Sequence, residues 1–416
     1  MSSFFTGSPK LSDLQILLSK SFTLPLLAYV SYLLFKDDSK PKSTLNNNSS
    51  SLSSSKKKKI LESDEEKSSL NYDYSKMNVN PVDSSFKWQD TPPFKYRPFK
   101  NGEYKLVMGI QNIPLDEWLM VENTYLDYTN IKNGYVKDPN IVDHVIYLND
   151  DCIDAAKEFY EASTQFMLKR YPQYFQIETK EDNIQYIHNL IRDDYIELNP
   201  EDVKPVKRLM TNLTQLLEED VVILFPDPEN YDTDEYILKG ACFTFAAGFD
   251  PTTVFNTPLS NLHRPVPDYR TKLKSQMNKF FEKVKPGVLV RRHNWSIQTD
   301  NRLLILSGSK GKEGEATKSV NSNDLDFGRE VFFRSERQTL TKLHRSKAMI
   351  FTIRAYLTSL RDIRDEGLGD QLVGGINGMQ EILGIYKNRP KWGDAATDFL
   401  TYKTEGADKP WIKGFV

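Results

Sequence analysis

Between Asp154 and Leu357 the hydrophobic period changes several times. From Asp154 to Tyr171, Ala155, Phe159, Ala162, Phe166 and Met167 recur at helical spacing; Leu273, Met277, Phe280, Phe281 and Val284 do the same from Tyr269 to Val284. An apolar stripe at that spacing is the face a helix buries. Strand-like runs lie between and beyond these stretches: YILKGACFTFAA from Tyr236, GVLVRRHNWSIQ from Gly287, EVFFRS from Glu330 and AMIFTIRAYL from Ala348. In the last, Met349, Phe351 and Ile353 alternate with Ile350, Thr352 and Arg354, which predicts a strand with one wet face. The Ser/Gly/Lys-rich stretch from Ser307 to Gly328 predicts a long, mobile loop. Helical and strand patterns do not alternate regularly, so the expected class is α+β with an antiparallel sheet rather than a doubly wound parallel one.

The N-terminal part has a different texture. After a short tail (1–13), residues 14–35 read LQILLSKSFTLPLLAYVSYLLF, uncharged from Ser21 to Phe35. With Lys20 at the boundary this reaches the length of a spanning helix, and Pro25 would kink it. The stretch is therefore expected to be an uncleaved single-pass membrane anchor; the rival is a cleaved signal peptide. Residues 36–85 hold NNNSSSLSSS, four lysines from Lys56 to Lys59 and an acidic patch from Glu62 to Glu66. Such a composition predicts a flexible linker. Lysines on the C-terminal side of the anchor place the linker and the rest of the chain in the cytosol by the positive-inside bias. The folded domain is expected over 86–416.

Composition narrows the class. The 416 residues carry 55 Lys+Arg against 57 Asp+Glu, a net charge of −2, so no global basic field invites nucleic acid. Two cysteines, Cys152 and Cys242, are too few for a disulfide framework or a Cys-based metal site. A 39% hydrophobic content supports a sizeable core. The chain has no Walker loop, no G-x-G-x-x-G after a strand, no G-x-S-x-G, no H-E-x-x-H and no C-x-x-C. Flavin and nicotinamide sites are therefore not visible, and no catalytic residue can be named from motifs.

Three short segments place polar residues in apolar surroundings. In Leu262-His263-Arg264-Pro265-Val266-Pro267 two prolines stiffen the chain after one imidazole, which suits a metal or haem ligand; a turn-capping histidine is the plainer reading. In Arg291-Arg292-His293-Asn294-Trp295 a strand puts Arg291, His293 and Trp295 on one side and Arg292 and Asn294 on the other. One side must then pair its polar groups, unless the strand is a solvated edge. The run from Arg334 to Leu340, with Glu336, Arg337 and Gln338, reads as a solvated helix start or as a buried charged cluster suited to carboxylates such as haem propionates.

HRPVP, RRHNW and FRSERQTLTKLHRSKAMIFTIRAYL, in that order, resemble the successive motifs of the haem-dependent oxidative N-demethylases. Met108-Gly109-Ile110 with Trp118, Glu122 and Tyr125, and Glu219-Asp220, resemble further motifs of that family; the likeness covers about Tyr104 to Leu357. It implies a PAS-like α+β fold holding haem b non-covalently and oxidative removal of a methyl group from a small secondary or tertiary amine. Electrons would come from a separate reductase. His263 would be the axial ligand to the iron. Arg292 and Arg337 would pair with propionates or internally, Glu336 would orient one of them, and Asn294, Trp295 and Gln338 would surround the site. His344, where the family has proline, is a second potential ligand. Ala246-Ala247-Gly248-Phe249 replaces the family's P-S-x-W.

Two other functions compete. One is a non-catalytic haem- or ligand-binding sensor of the same fold. The other is a lumenal type II glycosyltransferase, suggested by Asp232-Thr-Asp234 and Asp324-Leu-Asp326 as metal-binding pairs, with glycosylation acceptors at Asn212 and Asn294.

Overall fold

In the computed structural model, which describes residues 69–226, 235–314 and 316–409, two antiparallel sheets carry the architecture. The larger contains β1 (Gln111–Asn112), β2 (Ile146–Leu148), β6 (Asp220–Pro226), β7 (Tyr236–Cys242), β8 (Leu289–Gln298), β9 (Phe332–Lys342) and β10 (Met349–Ser359), in the order β1-β8-β9-β10-β6-β7-β2. The smaller is a meander of β3 (Phe175–Thr179), β4 (Gln185–Asn189) and β5 (Asp194–Glu197). The α+β class with antiparallel pairing is as the patterning predicts. The anchor segment 14–35 lies outside the described residues. Among the described residues no helix is long and apolar enough to cross a membrane.

The expected helices form. Of these, α1 spans Tyr125–Lys137 and α2 spans Ile153–Arg170, burying Ala155, Phe159, Ala162, Phe166 and Met167 as its period requires. Beyond it lie α3 (Arg208–Leu216), the single turn α4 (Leu259–Leu262) and α5 (Lys274–Lys283). The stretch before α5, Tyr269–Leu273, is wound as a π-helix after Asp268 takes a left-handed φ of 59°. Wide turns of this kind recur at functional sites. Four helices close the C-terminal side: α6 (Leu360–Asp365), α7 (Gly369–Asn377), α8 (Glu381–Tyr386) and α9 (Arg389–Leu400). They build a second apolar cluster in which Trp392 and Phe399 pack with Phe327, Phe333 and Trp295.

Four expectations need correction. The folded body begins before Phe86: Tyr74 and Met77, inside the expected linker, are buried in the main core. The run from Arg334 to Leu340 is no helix start but the middle of β9, paired along its length with β8 and β10. β10 has no wet face. It lies between β9 and β6, and Thr352 and Arg354 are each 1% exposed because the second face is covered and its polar groups are paired. The stretch from Ser307 to Gly328 is tied down: Val320 N donates to Lys391 O at 2.9 Å, and the Phe327 ring stacks on Phe399 at 4.1 Å. Those partners come from the C-terminal helices, so local composition does not reveal them.

Candidate functional site

The β8–β9 ladder organises the polar residues singled out from the sequence. Its register sets Arg292 opposite Gln338, His293 opposite Arg337, Asn294 opposite Glu336 and Trp295 opposite Ser335. Side chains alternate across a sheet, so Arg292, Asn294, Glu336 and Gln338 share one face, and His293, Trp295 and Arg337 the other. On the first face Arg292 donates through Nε to Met108 O and through Nη1 to Gln338 Oε1, both at 2.9 Å. Gln338 Nε2 donates to Glu336 Oε2 at 2.9 Å, and Asn294 Nδ2 donates to the same oxygen at 3.3 Å. Burial pushes the Glu336 carboxyl up, but Arg334, Lys310 and Lys387 outweigh it and hold the group below its ordinary range.

The opposite face is structural. Arg337 is 2% exposed and donates to the backbone carbonyls of Glu117 and Trp118, buttressing the turn before α1. Of the two roles open to Arg337, the geometry therefore selects internal pairing. His293 stacks on Tyr96 at 3.3 Å, and burial together with Arg291 and Arg337 draws its pKa down to about 4. It lies in the strand as expected, with both ring nitrogens buried and without a hydrogen-bond partner. Trp295 packs edge-on to Phe99 at 6.4 Å.

His263 ends α4, and its surroundings differ from those of the other four histidines. Its Nδ1 is 2.8 Å from Leu259 O, which fixes the proton on Nδ1 and leaves Nε2 with its lone pair. The ring stacks on Tyr269 at 4.5 Å, a contact the π-turn makes by bringing Tyr269 back over the imidazole. Burial, reinforced by the Arg292 charge, draws the His263 pKa down to about 4, so the imidazole is neutral at physiological pH. A neutral ring whose second nitrogen is held by a backbone carbonyl is the form that ligates a metal. The other histidines are placed elsewhere. His144 meets Asp250 at 3.0 Å, and His188 lies between Glu178 and Asp193. His344 stacks on Tyr72 at 3.6 Å in the turn between β9 and β10, where its charged neighbours are Glu158 and Lys347. The structure does not bring His344 to the Arg292–Glu336 face.

Several observations test whether this neighbourhood suits a haem. Among the described residues no cluster of three or more His, Cys, Asp or Glu is placed to hold a metal ion. A porphyrin brings four nitrogens of its own and asks the protein for an axial ligand, which His263 can supply. Tyr269 Oη beside His263, Ser309 Oγ beside Gly248, and Arg334 Nε, 3.5 Å from Glu336 Oε1, are buried without a hydrogen-bond partner. Arg292, Arg334, Lys310 and Lys387 all act electrostatically on the Glu336 region. That donor set is suited to carboxylates. In donor chemistry, one imidazole and several cations, the residues suit the group. A hollow of about 200 Å³, lined by Tyr104, Pro267, Asp268 and Leu383, adjoins the chain after His263. Neither that hollow nor a larger open groove of about 510 Å³ beside α2, lined by Glu158, Glu161 and Arg345, is lined by His263 or the groups around Glu336, so the chemistry and not the volume locates the site.

Sequence reading named Glu122 and Glu219-Asp220 only as motif residues and missed the buried charge network they enter. Arg354 on β10 pairs with Glu122 at 2.8 Å and Glu219 at 3.3 Å, and with Glu218. All four are at most 2% exposed. Burial raises the Glu218 carboxyl to about 8, against the opposing charge of Arg354. Lys132 of α1 pairs with Asp220 at 3.0 Å, and Asp220 accepts from Thr244 and the Phe245 amide. Arg334 donates to the carbonyls of Phe245 and Leu303. Charged residues inside strand-like and helix-like runs were the available signal.

The model of the haem-dependent oxidative N-demethylase, alpha subunit-like family matches residues 109–397. The match takes in His263, the three strands β8–β10 and most of the C-terminal helices. The chain belongs to that family.

Proposed function

We propose that this chain binds haem b through His263 and catalyses oxidative N-demethylation of a small secondary or tertiary amine. The observation that carries the reading is the neutral His263 imidazole, its Nδ1 committed to Leu259 O, within electrostatic reach of Arg292, which in turn acts on Glu336. Bound haem would supply oxygen activation, the methyl carbon leaving as formaldehyde while one oxygen atom is reduced to water by two external electrons and two protons. The chain's own contributions are distinct from that chemistry. Leu259 O fixes the tautomer and direction of His263, and Tyr269 holds the ring plane. Arg292, tied to Met108 O and Gln338, holds positive charge at the Glu336 face. The hollow beside Tyr104 and Pro267 is of a size for a small amine.

A separate reductase as electron donor is part of the proposal, in keeping with a family described as alpha subunit-like. A PAS-like core is supported by strand order: within the block β6–β10 the first and last strands lie side by side at the centre. The proposal also includes an N-terminal anchor at 14–35 that holds a cytosolic body near its donor, raising their effective concentration.

A haem sensor without turnover is the second reading, favoured by one observation: Ala247 and Phe249 stand where the family motif carries serine and tryptophan, losing a hydroxyl and an indole NH that could line a pocket. The glycosyltransferase reading has less support. Asn212 is 3% exposed and bonded to Tyr160 and Glu197; Asn294 lies within the β8–β9 ladder; Asp326 is 2% exposed and caps the Gly328 amide. Asp232 and Asp234 lie outside the described residues. The test is formaldehyde release by the purified full chain given methylamines, oxygen and a chemical or enzymatic reductant. Formaldehyde in step with amine loss supports the demethylase. A Soret band with no product for any amine leaves the sensor.

A further inference from the structure

Two lysines absent from the motifs lie at the same place. Lys310 comes from the long β8–β9 connection and Lys387 from the end of α8. Lys387 Nζ donates to Trp295 O and, at 3.4 Å, to Asn294 Oδ1, and the side chain is 5% exposed. Lys310 Nζ stands 5.0 Å over the Tyr386 ring. Its stem is locked. A Cβ added at Gly248 would lie 2.5 Å from Lys310 Cγ and 2.8 Å from Cε, and Gly248 has a left-handed φ of 91°. Only a residue without a Cβ admits Lys310 there.

The charges facing these two ammonium groups do not balance. Lys310 is drawn down to about 8 by burial, with Lys387 and Arg334 adding to the effect and Glu336 opposing it. Lys387 is drawn down to about 8 by burial, with Arg292 adding and Glu336 opposing. Four cations thus share one carboxylate. Burying like charges is costly unless an anion completes the set. Lys310 is half-buried, its stem held against a glycine beside the unpartnered hydroxyl of Ser309, where a bound anion would share its charge.

We propose that Lys310 and Lys387, with Arg292 behind them, form a clamp for a pair of carboxylates, which in this protein are the two propionates of the haem. This rests on the haem reading above and adds which residues grip the macrocycle edge. Arg337, on the other face of the sheet and bonded to Glu117 and Trp118, takes no part.

The test compares haem with its dimethyl ester, titrated into the purified full chain and followed by the Soret band. The wild-type chain is expected to bind the diacid at least tenfold more tightly than the diester, since each charge-assisted bond is worth about 1.5–3 kcal/mol. Lys310→Met should weaken the diacid about tenfold and leave the diester unchanged; Lys387→Met should do the same, with some added loss of stability from Trp295 O. Equal wild-type affinity for diacid and diester overturns the clamp while leaving haem binding intact, and that comparison needs no variant. Equal weakening of both porphyrins by Lys310→Met also overturns it. Failure of the wild-type chain to bind either porphyrin overturns the haem reading itself.

Discussion

Arg354→Met is a direct way to weigh the buried charge network. In the native protein one guanidinium, 1% exposed, serves Glu122, Glu218 and Glu219 and also donates to Met120 O at 2.7 Å. Burial keeps Glu218 near 8, so at neutral pH it holds a proton, and Arg354 faces chiefly Glu122 and Glu219. Removing the guanidinium strands those two carboxylates in a dry interior. Breaking a buried pair from one side costs about 3–5 kcal/mol, a large part of an ordinary domain's 5–15 kcal/mol. The pH dependence has a definite sign. Stranded carboxylates have folded pKa values above their unfolded ones, so the folded variant holds more protons, and its stability falls as pH rises from about 4.5 towards 8. Urea unfolding of wild type and variant at pH 5 and pH 7.5 reads both effects. The expected result is a loss of about 3–5 kcal/mol at pH 7.5 that shrinks at pH 5. A loss under about 1 kcal/mol, or one equal at both pH values, would refute the reasoning.

The same geometry sets three further outcomes. Gly248→Ala should cost about 1–3 kcal/mol in a thermal or urea melt, because its Cβ meets Lys310 and Ser309 at 2.5 Å; a neutral substitution would contradict the close approach. Arg337→Met should lower stability by about 2–4 kcal/mol through the lost bonds to Glu117 O and Trp118 O while leaving haem affinity within about twofold, read by Soret titration. The haem-free protein should gain stability as pH rises from about 8 to about 10.5, the window between the lowered Lys310 and Lys387 values and their ordinary one. There the unfolded chain binds more protons than the folded one, and Lys310→Met should flatten the slope.

How far the sequence disclosed this molecule depends on whether the determining contacts were local. The α2 stripe and the runs that became β7, β8 and β10 are period signals, and they formed where the periods lie. His263 stood out because two prolines come after it; its geometry, however, depends on Leu259 O and on Tyr269, the second brought in by a π-turn that no period announces. Arg337 and Glu336 looked alike as charged residues in one run, and only strand alternation, visible once β9 was known to be a strand, sends them to opposite faces. Lys310 and Lys387 were illegible. One lies in a loop that composition marks as mobile, the other ends a helix beyond the motifs, and they meet because Lys310 lies over the ring of Tyr386, the residue before Lys387, with its stem against a glycine from a third segment. The Arg354 network was missed because its carboxylates are scattered from Glu122 to Glu219, and only folding gathers them.

The absorption spectrum of the purified full chain reconstituted with haem, recorded for wild type and His263→Ala, bears most directly on whether that imidazole grips iron. Wild type should give a sharp Soret band with the visible bands of histidine-ligated iron. In the variant the band should shift or vanish and be restored by added imidazole. A variant spectrum identical to wild type would contradict the assignment of His263, and a wild-type chain with no Soret band at all would contradict the function built on it.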